Sequence, residues 1–149
     1  MPQNPRQVVT QTMRMTREEL TQLMVDSANN AVQTTLNEFK LELDGTPDSI
    51  SKVDDVLLSW IGRYKDQALE DKAVFTLCNI YGAYIGEVFK QLVGGEWTYD
   101  ESDSAAPYVA LEYGDKSYAF AGICYQRLVN DSSISVRDYF DKAVANSTQ

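Results

Sequence analysis

The chain has 149 residues, 44% of them hydrophobic and 23% charged, which is ordinary for a globular protein and enough for one domain with a core of its own. It carries 22 acidic and 13 basic residues and no histidine, for a formal net charge of −9. That balance repels nucleic-acid phosphates and anionic membranes and steers the chain toward a basic partner, while the missing histidine excludes Ser–His and Cys–His nucleophile systems and His-ligated zinc.

Residues 1–15 are polar, without periodicity, and read as a flexible arm ahead of a single domain spanning 16–146. The first 17 residues carry Arg6, Arg14 and Arg17 and no acid. They lack the apolar core of a secretory signal, and no run approaches the length of a membrane span, so the cytoplasm is the expected compartment. Thr16-Arg-Glu-Glu19 is a capping box. Behind it Leu20, Leu23, Met24, Ala28, Ala31, Val32, Leu36 and Phe39 recur at three and four residues and predict a helix over about 17–43. Asp44-Gly45-Thr46-Pro47 ends it, with Pro47 suited to the first position of the next helix. Ile50, Val53, Leu57, Trp60, Ile61 and Tyr64 predict that second helix over about 48–64. A third, the most apolar, runs from about Gln67 to Val93 and stops at Gly94-Gly95, which supply positive φ without a Cβ penalty.

The period then switches to two. Trp97 and Tyr99, then Val109, Leu111 and Tyr113, then Tyr118 and Phe120 alternate with polar residues, and Gly114-Asp115 is a two-residue turn signal. The reading is a three-stranded antiparallel meander with those aromatic and β-branched residues facing inward and Glu96, Asp100 and Glu112 facing outward. Between Lys90 and Lys116 there is no base to balance six acids. A short helix over 121–130 and another capped by Ser135 complete the chain. Three N-terminal helices, a meander and two short C-terminal helices make an α+β fold.

No metal, cofactor or catalytic set emerges. Cys78 and Cys124 sit among apolar neighbours as small hydrophobes. There is no phosphate loop and no dinucleotide fingerprint. Asp54-Asp55 and Glu18-Glu19 read as solvent-facing pairs, and Asp100-Glu101-x-Asp103 lacks the glycine and terminal Glu of a calcium loop. Gly82 and Gly86 fall four apart on one helix face, each costing about 1 kcal/mol relative to Ala, so a close crossing by a helix or the sheet must offset them. Glu87 flanks that strip and reads as a partly buried carboxylate, with Arg127 as its partner.

Gly82, Tyr84, Gly86 and Glu87, followed by Gly94, Gly95 and Trp97, resemble the pattern of a small bacterial family of unknown function. In that family a GAYxGE helix runs into a GGxW strand. Gln126-Arg-Leu-Val-Asn130 and Val136-x-x-Tyr139-Phe140 match its later helices, so the resemblance covers about 80–144. It implies no catalytic residues, and some members sit beside secreted toxins as immunity-like proteins. The residues themselves favour a binding or inhibitory protein with Glu96, Asp100, Glu101, Asp103, Tyr108 and Glu112 as its surface for a basic protein, Tyr108 being the aromatic anchor. The other class is a housekeeping or regulatory cytosolic protein, a homodimer among its forms, acidic only for solubility.

Overall fold

The computed structural model describes residues 16–67, 70–100 and 108–148. Among them are helices α1 (Arg17–Phe39), α2 (Ser49–Gln67) and α3 (Asp71–Leu92), strands β1 (Glu96–Asp100), β2 (Tyr108–Tyr113) and β3 (Lys116–Tyr118), helix α4 (Phe120–Tyr125) and helix α5 (Val136–Ser147). A π-helical turn, Gln126–Asn130, continues α4. The order is the expected α+β one, and the strands form an antiparallel sheet in the order β1-β2-β3. The segment 1–15, read as an arm, lies outside the described residues. No helix among the described residues is long and apolar enough to cross a membrane.

The capping box at Thr16 forms in both directions. α1 ends at Phe39, four residues short of the predicted end, because Lys40 turns left-handed (φ 56°) while its N–H still bonds the Leu36 carbonyl. The chain then runs non-helically to bury Leu43. Pro47 lies in the turn before α2 rather than at its first position, and α2 runs three residues past the predicted end. In α3, Val74, Leu77, Cys78, Tyr81, Ile85, Val88 and Phe89 form the buried stripe, and buried Ile80, Ala83 and Tyr84 extend it over most of the circumference, as befits the central helix. One cluster of buried apolar side chains draws on α1, α2, α3, the sheet, α4 and α5. Phe89 touches the rings of Tyr118, Phe120 and Phe140, which joins α3 to the sheet and both C-terminal helices.

Alternation sets the inner face in the middle of the sheet and fails at its ends, although Ala110, on the opposite face, is buried as well. Trp97 pairs with Leu111, and both are buried. Tyr99, expected inward, is 41% exposed: its pair with Val109 lies next to the open end of the β1–β2 ladder, beyond the cover that reaches Trp97. β3 stops at Tyr118, so the buried Phe120 reaches the core from the first turn of α4 instead of from a strand. The predicted two-residue turn is present, with Tyr113 opposite Lys116 and Gly114 at φ +63°.

Candidate functional site

Three constellations stand out, and one of them is largely exposed. On the side of the sheet away from Trp97 and Leu111, the register sets Glu96 opposite Glu112, Thr98 opposite Ala110 and Asp100 opposite Tyr108. Glu96 and Glu112 are exposed, and Tyr108 is 44% exposed. For Asp100 the strand backbone is described; Glu101 and Asp103 lie outside the described residues. Two features modify the expected acidic face. Ala110, in its middle, is fully buried. Arg17, from the first turn of α1, reaches Glu96 at 3.0 Å, so a base arrives from elsewhere in the chain although the strand segment has none. Both partners are largely exposed, and such pairs contribute little. Glu112 has no ion-pair partner among the described residues. Two carboxylates across a strand pair can take guanidinium or ammonium groups through charge-assisted hydrogen bonds, while Tyr108, opposite Asp100, lies at the other end of the same ladder.

The glycine seam is structural. A Cβ on Gly82 would stand 2.5 Å from the Ala121 backbone nitrogen, and one on Gly86 would overlap the Trp97 ring. The first glycine admits α4 and the second admits the sheet, so both expected kinds of close crossing occur on one helix face. At the end of α3, Gly94 and Gly95 take φ of +122° and +113°, and a Cβ at Gly95 would meet the Glu112 carbonyl oxygen at 2.8 Å. Tyr84 is buried, with its hydroxyl accepting from the Gly45 N–H (2.8 Å). The Ser49 hydroxyl donates to the Thr46 carbonyl, so the 2.6 Å contact between Tyr84 and Ser49 uses the tyrosine proton. Burial pushes the Tyr84 hydroxyl upward from its ordinary pKa.

Glu87 is a paired, partly buried carboxylate, but its partner is not Arg127. Its Oε2 accepts from the Trp97 indole N–H at 2.8 Å, and Lys90 lies 3.7 Å from the same oxygen. Arg127 goes elsewhere because α4 crosses α3 at Gly82, which carries the π turn toward α2. There the buried guanidinium donates to the carbonyls of Asp54, Ser132 and Ile134 and pairs with the Asp54 carboxylate at 3.2 Å. Asp54, expected on a solvent face, is 9% exposed. Its two oxygens accept from the N–H groups of Val136 and Arg137 and from the Ser135 hydroxyl, so it serves the N-terminus of α5 from across the fold. The spacing carried the signal: position 54 is four after Ile50 and three before Leu57, on the apolar stripe of α2. Thr35 was missed in the same way; it is buried four residues after Ala31, with its hydroxyl 2.9 Å from that of Tyr81.

Among the described residues, no three of His, Cys, Asp and Glu gather as a metal-binding group. Burial pushes the Cys78 thiol up to about 12 and that of Cys124 well above its ordinary range, so neither supplies a thiolate near neutral pH. Comparison of the chain with protein-family models, with curated proteins and with solved structures gives no match, so the resemblance around Gly82 to Trp97 stands on those residues alone.

Proposed function

We propose that this chain is a non-catalytic acidic binding protein that neutralises a basic protein partner, in the manner of an immunity or inhibitor protein acting on a bacterial toxin. It would work in the cytoplasm, without nucleic acid, membrane or cofactor. The observation that carries the reading is the cross-strand pair of Glu96 and Glu112. Like charges directly opposite on a sheet are destabilising by up to about 1 kcal/mol; Arg17 offsets this at Glu96, and a partner's cation at Glu112 completes the neutralisation. Tyr108, exposed on the same face, supplies the aromatic anchor that such interfaces favour. The net charge of −9 adds long-range steering.

The reading is tested by passing lysate from the source cells over the immobilised chain and over its Glu96→Lys/Glu112→Lys variant, whose fold is first checked by circular dichroism. The expected result is a basic protein held by the wild type at low salt, released at high salt and not held by the variant. Equal retention by both would remove this face from consideration.

A second reading, a housekeeping or regulatory homodimer, is favoured by large apolar side chains left exposed on the helices. Phe75 is 55% exposed, although its ring stacks on Tyr125 at 5.6 Å, and Leu58 and Val129 are exposed large apolar side chains as well.

A further inference from the structure

A cavity of about 300 Å³ lies between α1 and α3, closed at one side by the segment that follows α1. Its apolar lining comes from Val25, Val32, Leu43 and Val88, and its polar lining includes Asn29, Glu87 and Gln91. We propose that this cavity binds a small aliphatic amine, with the hydrocarbon against the valines and Leu43 and the ammonium at the Glu87 carboxylate. The proposal is independent of the outer sheet face.

The geometry at Glu87 carries it. The indole N–H of Trp97 fixes one carboxylate oxygen, Oε2, at 2.8 Å, and the Trp97 ring is itself locked against Gly86. The head group is therefore oriented before any ligand arrives. The other oxygen, Oε1, has no hydrogen-bond partner among the described residues. Lys90 lies 3.7 Å from Oε2, too far for a hydrogen bond, so it offsets part of the charge without occupying an acceptor site. Asn29 and Gln91 are exposed at the cavity, and their amide oxygens can accept the remaining ammonium protons. A volume of this size sits at the lower end of small-molecule sites and suits a chain of several carbons. A net charge of −9 favours a cation over a neutral or anionic ligand of equal shape.

The test is a titration of the full ¹⁵N-labelled chain with n-pentylamine and, separately, with 1-pentanol, which has the same hydrocarbon and no charge. The amine should shift the amides of Gly45, Glu87 and Gln91 in a saturable way, at least about tenfold more tightly than the alcohol. Glu87→Gln keeps an acceptor for Trp97 and removes the charge, so amine affinity should fall about tenfold, to that of the alcohol. Gln91→Trp, at an exposed position, should block both probes without disturbing the core. Equal affinity for amine and alcohol would overturn the assignment of a cation. Shifts spread along the acidic surface, or shifts unchanged in both variants, would mean that the amine only joins the counter-ion atmosphere and that the cavity is not a site.

Discussion

The two faces of the β1–β2 ladder obey the same alternation and have opposite fates. On the inner face Trp97 and Leu111 pair across the strands, and the Trp97 ring presses onto the bare backbone of Gly86. On the outer face, one step along, Glu96 and Glu112 pair across the same strands and remain exposed. Packing dictates the first face: almost any change there meets atoms. Nothing in the packing requires two carboxylates on the second. The difference teaches where function is to be sought, at positions whose residue types the fold does not need and even resists.

The comparison breaks most visibly at Gly86. A Cβ there overlaps the Trp97 ring, so Gly86→Val should destabilise the protein by about 3 kcal/mol or more, read as a lower denaturant midpoint with an unchanged slope. A midpoint equal to wild type would show that sheet and helix separate freely. A smaller effect is expected at Glu87. Glu87→Ala leaves the indole N–H of Trp97 without its acceptor and should cost about 1–3 kcal/mol, whereas Glu87→Gln should recover most of that loss. Equal losses in the two variants would mean that charge, through Lys90, matters more than the hydrogen bond. The smallest effect, of opposite sign, is expected on the outer face. Glu112→Lys places an opposite charge across from Glu96, which Arg17 already meets, and should stabilise the fold by at most about 0.5 kcal/mol. A clear loss of stability there would show that Glu112 serves the fold after all.

Much of the architecture was legible because local signals agreed with one another. The capping box at Thr16, the Ser135 cap, the glycine stop at Gly94-Gly95 and the two-residue turn at Gly114 all form as their chemistry dictates. Gly82 and Gly86 announced a close crossing because two glycines in an apolar helix need a reason. What escaped was long-range. The partner of Arg127 depends on which side of α3 the π turn falls, and no local pattern encodes that; Asp54 lies 73 positions away in sequence. Asp54 and Thr35 occupy apolar stripes, but Asp54 was read toward solvent for its charge and Thr35 was not singled out, and only the assembled fold supplies the hydrogen-bond partners that let them be buried. Tyr99 failed in the other direction: alternation assigns a face and does not say how far along that face the cover extends. Of the candidate interface, the exposure of Glu96, Tyr108 and Glu112 was visible from period two, while the ion pair of Arg17 with Glu96 was not, since it joins residues from distant parts of the chain.

The central claim, that the outer sheet face meets the partner, is most directly tested by mapping the bound surface. The ¹⁵N-labelled chain is titrated with the protein it retains from lysate, and amide shifts are followed residue by residue. The account predicts that the largest changes fall on Glu96, Thr98, Tyr108, Ala110 and Glu112 and shrink as salt rises. Changes centred instead on Phe75, Tyr125 and Val129, and insensitive to salt, would contradict it.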